Sequence, residues 1–475
     1  MRLKKLLEVF SSIIHDPSLF PYARIIPSSF TREDGKMPLR YLLTYLIFRH
    51  GKTLSEDICR IYPDLEFLNP PSKQAVLKRL SILNYSVWNR IQELFLKRIY
   101  QPMKKKTYRG YLLIAVDGSF ASLPDHPVLG MIFGRRNGNV DKHTGEIRYG
   151  APQARISIAY DVLNKVVLDF QVEHINVSEI PLLFRHLKAL ENLLGNYKVI
   201  ILADRYYGSA ELFKYCEMKG YKYIVRAKSN FFKKYRAAIP DKCIDSVMNI
   251  TIDEIWQKRI IRNAIREYIS AYPLMHVRLI KGHYEYDEEY INFRGHKIRT
   301  HHSSDAEYFT SLTREEMERD EIIHIYHVER WDIETGYFTL KNLLNIEQLN
   351  SANPIAVRNE IMAKIIFFNI EMLVWNASEE ENCLNDEHLS NNKHVIELCR
   401  SSWFVRSFFN RRLRLPELEG LVKECARVKV MIREGRHFRR WDKFRPSISQ
   451  PRHRIDGRNN PPLKKTKAGL ATSNH

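Results

Sequence analysis

The stretch Tyr326–Lys341, YHVERWDIETGYFTLK, sets one carboxylate, Glu334, among an arginine, a lysine and an aromatic. At about 100° per helical residue, Tyr326, Arg330, Glu334 and Lys341 fall near 0°, 40°, 80° and 60°, on one face of a helix. A carboxylate flanked by cations suits a site that holds a metal ion against a polyanion. The plainer reading is a solvated helix face with i,i+4 ion pairs. Further acids in matching positions decide between the two. Asp117 and Asp204 each end an apolar run, YLLIAVD and KVIILAD, 87 residues apart, and Glu334 follows Asp204 by 130. Singly, an Asp-Gly pair is a turn signal and an Asp-Arg pair a surface feature. Jointly, three acids from two strand ends and a helix make a pocket of hard oxygen donors suited to Mg²⁺ or Mn²⁺. Two such ions, about 3.5–4 Å apart, can activate a water or 3′-hydroxyl and stabilise the leaving oxygen. In-line phosphoryl transfer then rests on positioning and charge stabilisation.

Elements must carry these residues. Residues 1–105 read as a helical N-terminal region: Tyr41–Arg49 and Leu54–Tyr62 are short apolar or amphipathic runs, and Ser72 is placed to cap KQAVLKRL. Asn84 marks the break before SVWNRIQELFLKRIY. With Lys73, Lys78 and Arg79 on the first helix, the pair suits either a DNA-contacting unit or a plain bundle with a basic surface.

Residues 106–229 run strand, strand, strand, helix, strand, helix, strand. YLLIAVDGS stops at the Asp117-Gly118 turn, and Ala154–Asp161 and Lys165–Gln171 form a hairpin. Ser178 N-caps one helix, and Gly220 closes another that spans Ser209–Lys219. The pattern is a mixed α/β sheet with both aspartates at carboxyl ends of strands, where ligands of open α/β sheets bind. Residues 230–305 alternate without helical period and form a β-rich insertion. Residues 306–345 return to the sheet through Glu307–Leu312 and carry the Glu334 helix; within it Gly336 costs about 1 kcal/mol relative to Ala and points to close packing or a bend. Residues 346–442 are helical: Pro354 opens an apolar helix through Trp375, a polar loop spans Asn376–Asn392, and Val395–Asn410 is a further helix. Residues 443–475 are basic and Pro-rich, a disordered tail.

Composition narrows the class of partner. The 475 residues are 44% hydrophobic and 27% charged, ordinary for a soluble chain of about three domains. The balance of 75 Lys/Arg against 55 Asp/Glu, net +20, favours nucleic acid first and an anionic membrane second. More than half of the excess is local, since Arg427–His475 holds 14 Lys/Arg and 3 acids. The six cysteines lack metal-binding spacing and read as reduced thiols. Glu8 and Asp16 interrupt any signal-peptide apolar core, and Ile361–Trp375 is too short to span a bilayer. A cytoplasmic, nucleoid-associated protein with no membrane partner is expected.

The segments AVDGS, ILADRYYGS and ERWDIE…LK resemble the three acidic motifs of the DDE transposases of bacterial insertion sequences. More narrowly they resemble the insertion-sequence-four family, whose third motif is Y-x₂-R-x₃-E-x₆-K; Arg330, Glu334 and Lys341 match its spacing. VDGSFASLPDHP and SKQAVLKRLSILN are similar to that family's first-motif and N-terminal regions, and the resemblance spans Ser72 to Lys341. It implies an RNase H-like catalytic core interrupted by the β-rich insertion. It implies Asp117, Asp204 and Glu334 as catalytic ligands of Mg²⁺ (or Mn²⁺), two ions in all, and Arg330 and Lys341, with Tyr326, as contacts to DNA near a transposon end. In some family members an end hairpin forms and an unpaired base rests on an aromatic. One position departs from the motif: the family tyrosine lies three residues before the arginine, where this chain has His327, and Tyr326 lies one earlier. At about 0° and 100° either can project toward the site, and a phenol or an imidazole can donate to a phosphate.

The expected function is cut-and-paste transposition: hydrolytic cleavage at terminal inverted repeats and transfer of 3′-ends into target DNA. The partners are double-stranded DNA, as transposon ends and as target, and a second copy of the chain, as a homodimer on DNA. Helices and tail would give DNA binding a steep salt dependence. A non-catalytic or repurposed sequence-specific DNA-binding protein, or an RNase H-fold nuclease or resolvase, are the alternatives. The three acids weigh against the first, and the long insertion and basic Glu334 helix against the second.

Overall fold

Six consecutive apolar residues, Tyr111–Val116, are fully buried only in a strand covered on both faces, and they open β1 (Tyr111–Ser122). The computed structural model of the protein describes residues 3–31, 37–49, 53–61, 71–136, 139–140, 147–148, 150–228, 230–240, 242–291, 297–349, 351–386, 394–396, 405–406 and 429–431. After a two-residue ribbon of β2 (Asn139–Val140) and β3 (Ile147–Arg148) come β4 (Gln153–Asp161) and β5 (Val166–His174). Then follow β6 (Lys198–Ala203), β7 (Lys222–Arg226), β8 (Asp245–Thr251), β9 (Leu274–Ile291) and β10 (Lys297–Thr310).

Eight of these form one sheet in the order β5-β4-β1-β6-β7-β10-β9-β8. The pairs β1–β6 and β6–β7 are parallel, and the other pairings of this sheet are antiparallel. Counting β1, β4, β5, β6 and β7 as five core strands, the order is 3-2-1-4-5, with the first, fourth and fifth parallel. This is the mixed α/β, RNase H-like core expected from the sequence.

One detail of the strands differs from that expectation. β1 does not stop at the Asp117-Gly118 turn; it runs on to Ser122, because β4 pairs with it from Ile114↔Asp161 through Ser122↔Gln153. The insertion is not a separate sheet. β10 pairs with β9 along its length and with β7 at its end, Tyr308↔Arg226 to Thr310↔Ile224, so insertion and core share one sheet. The insertion also holds three short helices, α11 (Lys233–Arg236), α12 (Glu254–Gln257) and α13 (Asn263–Ala271). α13 buries Ile265 and Ile269, four residues apart, which is helical period in a stretch too short to stand out from the alternating pattern around it.

The N-terminal helices are α1 (Leu3–Ile14), α2 (Leu19–Ala23), α3 (Leu39–Phe48), α4 (Leu54–Ile61), α5 (Lys73–Ser81) and α6 (Ser86–Phe95). Ser72 Oγ caps α5, accepting from the Ala75 N–H at 3.2 Å. The two helices of this pair are unequal. α6 is committed to packing: Trp88 is fully buried and its Nε1 donates to Asn359 Oδ1 at 2.7 Å, while Gln92 Nε2 donates to Val167 O at 2.8 Å. α5 keeps Lys73 and Lys78 exposed, and Lys97 is exposed on the π turn Leu96–Tyr100 that continues α6.

α7 (Pro127–Phe133), α8 (Glu179–Ala189), α9 (Glu191–Leu194) and α10 (Ala210–Lys219) accompany the core strands. Gly220, at φ +69°, closes α10 in the left-handed region that favours glycine. α14 (Arg319–His324) leads into the charged motif, α15 (Asp332–Phe338) carries its Glu334, and α16 (Pro354–Asp386) packs on α3, α5, α6 and β5. α16 is long and apolar enough to cross a membrane, but most of that stretch is buried inside the protein. Arg49, fully buried, forms ion pairs with Asp57 at 3.4 Å and Glu360 at 2.8 Å and so joins α4 to α16. α16 continues to Asp386 through part of the expected polar loop, where no Gly or Pro interrupts the sequence. β11 (His394–Ile396) pairs with β12 (Lys429–Met431), so the start of the helix expected from Val395 is a strand held by a distant partner. The basic tail lies outside the described residues.

Candidate active site

Asp117 and Asp204 are neighbours by register. The parallel pairing of β1 with β6 ends at Val116↔Ala203, and each aspartate is the next residue on its chain. β6 ends there while β1 goes on with β4, so the sheet opens beside Asp117 at the carboxyl end of β6, the position where α/β sheets bind ligands.

The Glu334 segment faces this opening and is fixed to it at several points. Tyr337, three residues after Glu334, donates its hydroxyl to the Asp117 carbonyl at 2.8 Å, with the Ile156 carbonyl at 3.2 Å. Asp332 accepts from Tyr160 OH at 3.2 Å and from Lys165 Nζ at 2.6 Å, which holds the start of α15 on the β4–β5 turn. Lys341 Nζ donates to Ser119 Oγ at 2.7 Å, two residues beyond Asp117 on β1 and therefore on the same face.

The helix is not regular. Ile325–Glu329 forms a π turn in which the Arg330 N–H bonds the Ile325 carbonyl, five residues back, at 3.0 Å. A second π turn spans Thr339–Leu343. The first turn separates Tyr326 from His327. Tyr326 OH donates to Asp204 Oδ1 at 3.2 Å, whereas the His327 ring bonds the hydroxyl of Tyr308 on β10. Burial pushes the Tyr326 phenol up, and burial with the nearby Arg226 and Arg330 charges pushes the His327 imidazole down, so both stay neutral near pH 7. Arg330 bonds Glu334 Oε1 at 3.1 Å and lies over the Tyr326 ring at 4.9 Å. Burial opposes its charge, but Tyr326, Glu334, Asp117 and Asp204 together carry it above the ordinary guanidinium range.

Asp117 is held at about 6, well above its ordinary 3.8. Burial is the main cause, opposed by the Gly118 N–H and Arg330 and reinforced by the negative charges of Glu179 and Glu334. Glu179 is a fourth acid at the site, at the first position of α8. A Cβ on Gly118 would stand 2.9 Å from Glu179 Oε1, so the glycine leaves the room into which this carboxylate fits, and Arg155 pairs with it. In sequence an acid after Ser178 reads as a partner of the helix dipole, which is why only the structure singles it out. Beside Asp204 a groove of about 900 Å³ runs between Arg205, Tyr206, Arg226 and Lys228 of the core and Lys281 and Arg319. Its lining carries five Lys and Arg side chains against the three acids Asp204, Asp305 and Glu307, a net positive charge that suits a polyanion.

Carboxylates are the donors that Mg²⁺ and Mn²⁺ take, so the chemistry of the set fits. The spacing is not closed: among the described residues no group of three Asp, Glu, His or Cys side chains could hold one ion. Asp204 is bonded by Tyr326 and Glu334 by Arg330 instead.

A family model described as the transposase DDE domain matches residues 108–370. Among solved structures, the cryo-EM structure of a piggyBac transposase synaptic complex with hairpin DNA is similar at 12% identity and a TM-score of 0.43, over 89% of this chain and 84% of that one. No curated protein matches the chain.

Proposed function

The chain belongs to the transposase DDE domain family, and on that premise we propose that it is a cut-and-paste DNA transposase working through Asp117, Asp204 and Glu334. One observation carries the assignment of these residues: Asp117 and Asp204 follow the last paired residues of two parallel strands, and the Glu334 helix is bonded across to the Asp117 backbone through Tyr337. The three carboxylates would hold divalent ions, Mg²⁺ or Mn²⁺, which when bound supply activation of the attacking oxygen and stabilisation of the leaving one. The chain's own part is positional. Tyr337 and Asp332 fix the helix, and Lys341 and Arg330 present cations for the DNA phosphates.

The narrower resemblance, to the insertion-sequence-four family, gains support from the π turn. That turn takes up one residue more than an α-helical turn, and Tyr326 stands one residue further from Arg330 than the family motif has it. The inserted residue is absorbed, and Tyr326 keeps its contact with Asp204, so Tyr326 rather than His327 fills the tyrosine position. Residues 1–105, the core at 106–229 and 306–345, the insertion at 230–305, the helical region at 346–442 and the tail at 443–475 then divide the labour. α5, the groove beside Asp204 and the tail take double-stranded DNA, two copies of the chain join the transposon ends, and the work is done in the cytoplasm on the nucleoid.

The test is cleavage and strand transfer on linear DNA carrying the sequences that flank the gene. Asp117→Asn, Asp204→Asn and Glu334→Gln should each abolish cleavage and leave DNA binding largely intact. Normal cutting by any one of them would remove that acid from the site. Cleavage without joining in the wild type would move the reading to a nuclease.

A further inference from the structure

Arg330 stands among the three acids assigned to the metal ions, Asp117, Asp204 and Glu334. Its guanidinium bonds Glu334 Oε1 at 3.1 Å and covers the Tyr326 ring at 4.9 Å, and Tyr326 in turn bonds Asp204. The charges of Asp117 and Asp204 reach it as well. Its side chain is only 13% exposed, and its Nε is buried with no hydrogen-bond partner. The same acids are not drawn together into a set that could hold one metal ion. A cation therefore already sits where a second cation would have to enter.

We propose that Arg330 is a built-in counter-ion that holds the acidic site until DNA arrives, so that DNA binding and divalent-metal binding are linked through this one side chain. This inference rests on the transposase reading of the three acids and adds how the site is loaded. A phosphate diester offers the guanidinium two acceptor oxygens in the fork geometry it prefers. One of them would also satisfy the orphaned Nε, which Glu334 leaves unbonded. Arg330 drawn onto a phosphate releases Glu334 and removes a positive charge from between the carboxylates. By linkage, DNA then raises metal affinity and metal raises DNA affinity by the same factor. Without DNA the site stays neutralised by the protein itself.

Mn²⁺ binding, read from the electron paramagnetic resonance signal of the free ion, tests the proposal on the full chain. The measurement is made with and without a duplex of the gene-flanking DNA. For the wild type, DNA should tighten Mn²⁺ binding about tenfold or more, the usual range of a coupling between sites. Arg330→Gln should bind Mn²⁺ about tenfold more tightly than wild type without DNA, and DNA should add little further. Arg330→Lys keeps the charge and should stay close to the wild type without DNA, a difference between the two variants that a merely structural role would not produce. Mn²⁺ affinity that is the same with and without DNA, or the same in wild type and Arg330→Gln, overturns the proposal. If Arg330→Gln does not fold, the wild-type comparison decides alone. Asp117→Asn separates the two levels of inference. Loss of Mn²⁺ binding in it, with no effect of DNA or Arg330, sinks only the counter-ion; unchanged Mn²⁺ binding in it sinks the acid site and the counter-ion together.

Discussion

The hydroxyl of Tyr337 donates to the carbonyl of Asp117 at 2.8 Å and thereby joins the helix of Glu334 to the strand of Asp117. Tyr337→Phe removes that bond and leaves the ring in place. The loss of one hydrogen bond costs about 1 kcal/mol of stability. The larger effect falls on the reaction, because misplacing a reacting group by about 1 Å can cost about a hundredfold in rate. Single-turnover cleavage should slow by about tenfold or more, with DNA affinity changed little. A wild-type cleavage rate in this variant would mean that Tyr337 holds the fold but not the site.

The position of Asp117 near pH 6 makes stability depend on pH in a defined direction. Its folded value is raised, from 3.8 to about 6, so the folded state disfavours the ionised form. The stabilising contribution of the neutral carboxyl is full below the unfolded value and is lost as pH rises through about 6. Asp117→Asn is neutral throughout. In EDTA it should therefore be more stable than the wild type at pH 8, by about 1–3 kcal/mol, with the gap closing toward pH 4. Urea unfolding at the two pH values measures it, and a gap that does not change with pH would contradict the burial of this charge.

Tyr326 and His327 differ in what they touch, so their variants should differ in what they do. Tyr326→Phe loses the bond to Asp204 and should lower the cleavage rate by about ten- to 150-fold at most, the worth of one hydrogen bond to a charged group, about 1.5–3 kcal/mol. His327→Gln loses a contact to Tyr308 on β10 and should cut at close to the wild-type rate while unfolding at a slightly lower urea concentration. The reverse pattern would assign the motif position to His327.

Gly336 does not owe its place to crowding. A Cβ there would meet Phe368 Cζ and Tyr160 Cζ at 3.7 Å, ordinary van der Waals contact, and its φ is not positive. Gly336→Ala should raise stability by about 0.5–1 kcal/mol through the lower backbone entropy of the unfolded chain and better helix propensity. Chemical denaturation would register the gain, and a loss would point to movement of this helix that the alanine restricts.

The parts of the molecule that could be read from sequence are those set by local pattern. The runs YLLIAV and KVIILA announce buried strands, and Asp117 and Asp204 follow them at equal depth because the strands are parallel neighbours in register. Where a distant partner decides, the local signal misleads. Gly118 reads as a turn, but β4 pairs across it and keeps it in the strand. Glu179 reads as a helix-start acid, and only the packing of α8 against β1 brings it to Asp117. A regular 100° period cannot foretell the π turn at Ile325–Glu329, so by angle alone Tyr326 and His327 are equivalent, although their contacts are not.

β10 runs unbroken from Lys297 to Thr310 and is the strand that flanks β7 in the core sheet. Trimming the insertion to obtain a smaller enzyme would leave β7 paired with Tyr308–Thr310 but would strip that end of β10 of its other partner, β9. The end of β10, beyond β7 and three places from the strand of Asp117, would be left with bare N–H and C=O groups along one edge. Such an edge invites another chain to pair with it. The insertion thus acts as a hem on the catalytic sheet, and a chain without it would be expected to clump before it could be assayed.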